Sequence, residues 1–158
     1  MKKIIIFGLS IIMILSFSSC LEFGLEELET YTDTNITAIN FEYRWMVPEN
    51  PNDPWAGEKL QVKTLTTHAE IKEGVVKCNI TVPDASGTFT EQIRNSVTLQ
   101  NIIAYLTISP GATVKAVGST PVLGHIGDFS KSELKYKVIS ADGKNQQEWL
   151  LVIESFNK

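Results

Sequence analysis

The residues best suited to binding chemistry lie in the segment NPNDPWAGEK, where Trp55 follows Asn52 and Asp53. Sugar rings present apolar C–H faces that stack on an indole, and neighbouring amide and carboxylate groups bind the sugar hydroxyls. A tryptophan beside short polar side chains in a loop is therefore suited to carbohydrate binding. We identify Trp55, Asn52 and Asp53 as the candidate ligand-binding residues.

Two other interpretations of this loop stay open. In the first, which the sequence favours, the indole is a hydrophobic plug that holds the loop against the domain, as in compact Ω-loops. In the second, Glu49, Asn52 and Asp53 supply oxygen ligands to a hard cation such as Ca²⁺. Because Asn and Asp are common turn formers in any case, we expect no metal site here.

Catalytic motifs are absent from the sequence, which contains no G-x-S-x-G, no H-E-x-x-H and no phosphate-binding glycine loop. His68 and His125 do not have the spacing of metal ligands, so we expect both to be solvated loop residues. Carboxylates are plentiful, but a glycosidase also needs a cleft that raises the pKa of one of them. We therefore expect a non-enzymatic protein without a cofactor.

A different chemistry is indicated at Cys20, which follows two serines. Two lysines precede an apolar run over residues 4–17, which is shorter than the roughly 20 residues that span a bilayer and is typical of a signal peptide. FSSC resembles the relaxed lipoboxes of Bacteroidetes lipoproteins, in which the cysteine is acylated and becomes the N-terminus. The resemblance implies a signal peptide over residues 1–19 and a lipid anchor on Cys20; the alternative is an ordinary secretory signal.

Residues 20–35 are predicted to be an acidic tether. They contain no Lys or Arg and four glutamates, Glu22, Glu26, Glu27 and Glu29. This acidity loosely resembles the signal that sends Bacteroidetes lipoproteins to the cell surface; the alternative is a short amphipathic helix carrying Leu21, Leu25 and Leu28. Two or more acyl chains hold a protein on a membrane stably. We therefore expect a lipoprotein anchored in the outer membrane and exposed at the surface, whose folded part needs no membrane contact.

The charge balance bears on the kind of partner. The chain has 14 Lys and Arg against 18 Asp and Glu, a net charge of −4. Removal of the signal peptide takes Lys2 and Lys3 with it and makes the balance −6. Such a chain lacks the basic patch of a nucleic-acid-binding protein. Cys78 is the only cysteine besides Cys20, so no disulfide forms within the mature domain and stability must come from apolar packing.

Apolar residues alternate with polar ones in four segments. These residues are Ile39, Phe41, Tyr43 and Trp45; Val76, Cys78, Ile80 and Val82; Leu134, Tyr136 and Val138; and Trp149, Leu151 and Ile153. Strict alternation predicts strands with one face on a core. We therefore expect Trp45, Trp149 and Cys78 to be buried, and we predict weaker strands over residues 60–66 and 102–109.

Turn signals separate these strands. Asp142-Gly143 is typical of a hairpin turn, SPGA at residues 109–112 predicts another turn, and a helical turn fits only within residues 91–104. Six or seven short strands in one domain without disulfides predict an all-β fold, an Ig-like antiparallel β-sandwich of about seven strands over residues 36–158.

Residues 106–155 resemble the C-terminal half of Ig-like domains in Bacteroidetes surface lipoproteins. The resemblance rests on SPGA at 109–112, DFS at 128–130 and the YKVISADG hairpin at 136–143, with a looser match of the strand NITAINFEYRW. It implies an accessory module of a glycan-uptake or adhesion system, and it assigns no binding residues.

Our leading hypothesis is a surface module that assists glycan capture beside an outer-membrane protein. The alternative is a structural module that contacts other surface proteins through its edges or loops, and a hydrolase ranks third. An exposed row of aromatic side chains would favour glycan capture, whereas a bare edge strand would favour assembly.

Overall fold

The computed structural model describes residues 31–53 and 55–158, here called the described chain, and the predictions for residues 1–30, including the acylation of Cys20, lie outside it. The described chain forms seven strands and one short helix. They are β1 (Ile36–Pro48), β2 (Glu58–Lys72), β3 (Val75–Thr81), α1 (Glu91–Ser96), β4 (Ile103–Ile108), β5 (Thr113–Val117), β6 (Leu134–Ile139) and β7 (Gln146–Asn157).

All seven strands belong to one sheet, in the order β4-β1-β2-β3-β7-β6-β5. Neighbouring strands are antiparallel except β3 and β7, which run parallel, a pairing that the sequence did not predict. Residues 58–65 of β2 pair with β1, and residues 66–72 of the same strand pair with β3. The all-β prediction is confirmed, and this mixed sheet is compatible with a β-sandwich.

The core is built from the alternating residues. Phe41 of β1, Val76 of β3 and Tyr136 of β6 are each at most 1% exposed. The rings of Phe41 and Phe129 meet edge to face with centroids 5.6 Å apart. Because one cluster contains buried residues of β1, β3, β4, β6 and β7, both halves of the sheet enclose a common core. The predicted burial of Cys78 is also confirmed, since its side chain is fully buried.

The segment before β1 is hydrogen-bonded to β7 and to the turn that precedes it. Trp149 of β7 is 4% exposed, as predicted, and its Nε1 donates to the carbonyl of Thr34 at 2.9 Å. Asn145 Nδ2 donates to the carbonyl of Thr32 at 3.1 Å. Within the described chain, these hydrogen bonds extend the domain to Thr32, four residues before β1.

Both predicted turns are present. The connection between β6 and β7 is closed by a 2.9 Å hydrogen bond from Ser140 N to Asn145 O, and Gly143 takes a φ of 71°. In the SPGA turn Gly111 takes a φ of 70°. These positive φ values explain why glycine stands at both positions.

Gly111 is also tightly enclosed, which makes it a test of the turn. A Cβ atom at this position would lie 2.9 Å from Ala141 Cβ, whereas one at Gly118, whose φ is 62°, would meet nothing within 4 Å. We expect Gly118→Ala to lower the free energy of unfolding by about 1 kcal/mol, through backbone strain alone. We expect Gly111→Ala to cost about 1–3 kcal/mol more because of the added steric contact. Urea denaturation measures both, and equal losses would contradict the steric contribution.

One further prediction is confirmed, and two features differ from the sequence prediction. The predicted helical turn is α1, which starts after Thr90, whose Oγ1 accepts from Ile93 N at 3.3 Å. The strand β5 was not predicted. Because β2 continues to Lys72, the exposed His68 lies on a strand and the prediction of a loop is wrong. No helix of the described chain has the length and apolar composition needed to cross a membrane.

Candidate functional site

The candidate ligand-binding residues lie at the tip of the hairpin formed by β1 and β2. The two strands stay paired as far as Pro48 and Glu58, and Glu49 N donates to the carbonyl of Gly57 at 2.8 Å. Residues 49–57 therefore form a closed loop that contains Asn52, Asp53 and Trp55. We call this segment the tip loop.

Two side chains fix the backbone of the tip loop. Asn50 Oδ1 accepts from Asn52 N at 3.0 Å, and Asp53 Oδ1 accepts from Trp55 N at 2.9 Å. Backbone hydrogen bonds from Asp53 N to Asn50 O at 3.1 Å and from Ala56 N to Asp53 O at 3.0 Å complete the loop. The two side-chain hydrogen bonds form Asx turns, in which a short polar side chain replaces a backbone acceptor. One carboxylate oxygen of Asp53 therefore has a structural role.

Trp55 extends into solvent, with 93% of the residue exposed. The favoured interpretation of the indole as a hydrophobic plug is therefore wrong. The physical reason is that the loop is closed by its own Asx and backbone hydrogen bonds and does not depend on an apolar anchor. Asn52 and Asp53 are also exposed. The structure thus brings the three predicted residues together on one exposed loop.

The inner face of the hairpin is supported by stacked aromatic rings. Tyr43 and Trp45 stack with centroids 6.1 Å apart, and Trp45 meets Phe89 at 5.3 Å. Lys63 Nζ lies 5.3 Å from the Phe89 ring and donates to Ser86 Oγ at 3.2 Å. Trp45 is partly rather than fully buried. These contacts tie the connection between β3 and α1 to the hairpin and stiffen the strands that carry the tip loop.

The outer face of the same hairpin is apolar and open to solvent. Met46 is 49% exposed and Leu60 is 50% exposed, and the two residues pair directly across the strands. Together with Ile126, which is 63% exposed, and the buried Ile103, they line a groove of about 510 Å³. We call this the hairpin groove. A group of exposed apolar side chains of this kind marks an interaction surface.

Two polar side chains, Arg44 and His125, lie at the hairpin groove. Arg44 lines it, but its Nη2 donates to Glu42 Oε2 at 3.2 Å and to the hydroxyl of Tyr105. The charge of Arg44 is therefore balanced within the protein, and the groove is suited to apolar contacts. His125 lies at the groove and is exposed. Within the described chain, no three His, Cys, Asp or Glu side chains are grouped to hold a metal.

Cys78 has the properties of a structural residue. Burial, with a smaller contribution from the Glu154 carboxylate, raises the pKa of its thiol to about 12. The thiol is therefore protonated at neutral pH, and a protonated thiol is a poor nucleophile. The interpretation of Cys78 as a small buried apolar side chain is confirmed.

The hairpin groove was not predicted, although the sequence carried a signal for it. Leu60 and Val62 stand on one register of β2, and Leu65 stands on the other. Leu65 is 2% exposed and faces the core, whereas Val62 is 47% exposed. Apolar residues on both registers of one strand place apolar side chains on both of its faces, although only one face can meet the core.

Comparison with known proteins identifies relatives in the same bacterial group as the predicted resemblance. A family profile described as DUF5018-related matches residues 36–152. A crystal structure of a Bacteroides fragilis NCTC 9343 protein, described as secreted, is similar with a TM-score of 0.72 and 28% sequence identity. The match covers 82% of this chain and 100% of that one. These findings support the resemblance to a Bacteroidetes domain.

A second crystal structure, of a Bacteroides thetaiotaomicron protein described as a glycoside hydrolase, matches with a TM-score of 0.40 and 17% identity. It covers 82% of this chain but 27% of that one, so its description carries no information about the activity of this chain. A search of curated proteins finds no match.

Proposed function

The chain belongs to the DUF5018-related family, and we propose that it acts as a non-enzymatic binding module of the cell envelope. In this proposal the module assists glycan capture at the outer membrane. The tip loop is the binding surface, with Trp55 as the stacking platform and Asn52 and Asp53 as the polar groups beside it.

The observation that carries the proposal is the 93% exposure of Trp55. Removing apolar surface from water is favourable, so a ligand that covers the fully exposed indole gains binding free energy from its whole face. The apolar face of a pyranose ring is flat and fits such a platform, while its hydroxyls require donors and acceptors at the edge of the ring. Asn52 and the second carboxylate oxygen of Asp53 supply these groups.

The stiffness of the tip loop supports the same function. Ordering a loop on binding reduces affinity, and a loop already held in one conformation avoids that loss. The hydrogen bonds of Asn50 and Asp53 hold the backbone, and the aromatic stack of Tyr43, Trp45 and Phe89 holds the strands below it. The indole is therefore presented by a preorganised support.

A glycan array of plant, host and microbial polysaccharides tests the proposal. The labelled full chain is applied to the array, and each retained polysaccharide is checked by affinity electrophoresis with its own soluble oligosaccharide as competitor. We expect retention of at least one polysaccharide and its loss with the competitor. An array without any competed signal would contradict glycan capture.

Two observations support an envelope location. The similar Bacteroides fragilis protein is described as secreted and is matched over its whole length. The sequence around Cys20 has the form of a lipoprotein processing site. We include in the proposal that acylation of Cys20 anchors the domain in the outer membrane, with the Ig-like domain on the cell surface.

Cys20→Ala is expected to abolish lipid attachment, because the thiol is the acyl acceptor. Cells grown with a fatty-acid analogue and expressing either form are compared by labelling of the purified protein. Cys78→Ala is the matched control, and it should keep the label because its buried thiol is not acylated. Equal labelling of the Cys20→Ala and unaltered chains would contradict the anchor.

A second candidate function is assembly with another surface protein through the hairpin groove. The exposure of Met46, Leu60 and Ile126 favours it, because aliphatic side chains pack against protein surfaces and do not stack on sugars. Cross-linking in intact cells separates the two functions. In the assembly function, Leu60→Ser removes a cross-linked product that Trp55→Ala leaves in place.

A further inference from the structure

The two edges of the sheet differ in whether another segment of the chain covers them. At β4, the segment before β6 covers the edge, because Gly124 N donates to Ala104 O and Gly127 N donates to Ile102 O, each at 3.0 Å. At the other edge, β5 pairs with β6 alone among the strands of the described chain. An edge strand presents backbone N–H and C=O groups that can pair with another extended chain.

An apolar groove lies beside the edge of β5. Val114 and Ala116, which pack against the core cluster, form one side of it with Lys115 between them, and Val122 and Leu123 form the other. Its volume is about 500 Å³, and Val122 is 60% exposed. Since alternate residues of a strand point to one face, a strand added to β5 would place every second side chain in this groove.

The opposite face of β5 carries an unbalanced positive charge. Lys115 stands directly across from Lys137, and Lys137 stands across from Glu148. Glu148 forms its ion pair with Lys135, at 3.3 Å, and the ion pairs of the described chain include neither Lys115 nor Lys137. Like charges directly opposite each other are destabilising. An acidic side chain on an added strand opposite Lys115 would relieve this repulsion.

The same lysine disfavours a second copy of this chain as the occupant. Lys115 is the central residue of β5, so antiparallel pairing of two β5 edges in register would place Lys115 opposite itself. A lysine on an edge strand commonly prevents such self-association.

We propose that β5 accepts an extended segment of another protein by strand addition, and that this segment alternates apolar and acidic side chains. Its backbone pairs with the outer edge of Thr113–Val117. Its apolar side chains enter the groove lined by Val114, Ala116, Val122 and Leu123, and its carboxylates face Lys115. Strand addition takes affinity from the backbone and specificity from alternate side chains. This inference is independent of glycan binding at the tip loop.

A designed peptide tests the proposal on the full chain. The probe is a fluorescent nonapeptide of alternating valine and glutamate, N-methylated at alternate amides so that only one edge can form hydrogen bonds. We expect saturable binding by fluorescence anisotropy. Lys115→Glu should weaken it about fivefold, since the attractive cross-strand pair becomes a repulsive one. Val122→Ser should weaken it by a similar factor by removing apolar contact.

Matched controls use the exposed strand β2. Lys59→Glu and Val62→Ser make the same chemical changes away from β5 and should leave binding unchanged, and circular dichroism verifies that every variant folds. Three outcomes would overturn the proposal: no saturable binding, equal binding of a valine–lysine peptide, or equal weakening by the control variants. A fourth outcome would come from sedimentation analysis of the full chain. A dimer that Val122→Ser dissociates would overturn the proposal, because a second copy of this chain would then occupy the groove.

Discussion

Replacing Trp149 with alanine is expected to lower the free energy of unfolding by about 3–5 kcal/mol, the range for emptying a large aromatic site in a core. The residue is 4% exposed and pairs across the strands with the buried Tyr136. The substitution also removes the 2.9 Å hydrogen bond from Nε1 to the carbonyl of Thr34. Both losses act on the same region, where the segment before β1 meets β7.

Urea denaturation followed by far-ultraviolet circular dichroism measures the loss without relying on tryptophan fluorescence. Trp149→Phe is a partial control that keeps an aromatic ring but loses the hydrogen bond, so we expect a smaller loss of about 1–2 kcal/mol. Trp55→Ala is the matched control, because it deletes the same side chain from an exposed position. An unchanged midpoint for Trp149→Ala would show that the indole does not contribute to the core.

The strands that could be predicted are those in which buried and exposed residues alternate. Phe41, Val76 and Tyr136 alternate with polar residues because one face of their strands meets the core and the other meets water. The turn at Asp142-Gly143 was also predictable, since its conformation depends on local backbone freedom. In these segments local chemistry and tertiary structure favour the same arrangement, which is why sequence alone was sufficient.

The features that escaped prediction depend on contacts between distant parts of the chain. The strand β5 contains five residues, and its core contacts at Val114 and Ala116 are too few to establish a period in the sequence. The parallel pairing of β3 with β7 joins residues more than seventy positions apart, such as Val76 and Leu151. Nothing local distinguishes a parallel partner from an antiparallel one.

The candidate site was predictable in composition but not in exposure. Trp55, Asn52 and Asp53 are close in sequence, so any loop conformation keeps them near one another. Whether the indole is buried depends on the Asx turns that close the loop, and Asn and Asp form such turns in many sequences without specifying which way a neighbouring ring faces. The exposure of Trp55 therefore required the structure.

Trp55→Ala is expected to abolish retention on the polysaccharide identified by the array, while the free energy of unfolding changes by less than about 0.5 kcal/mol. The reason for both expectations is the 93% exposure of the residue. Stacking on the indole supplies the apolar part of sugar binding, and an exposed ring makes few contacts that stabilise the fold. Affinity electrophoresis and urea denaturation are carried out on the same preparation, so a folding defect cannot be mistaken for a binding defect.

Two further variants of the tip loop sharpen this test. Trp55→Tyr keeps a flat aromatic face, so we expect it to retain weakened binding, whereas Asn52→Ala removes a polar group and should weaken binding without abolishing it. Leu60→Ser, in the hairpin groove, is the control that should bind the polysaccharide normally. If Trp55→Ala retains full binding, the glycan contacts another surface and the tip loop is not the site. If Trp55→Ala loses more than about 1 kcal/mol of stability together with binding, the indole supports the fold rather than the ligand.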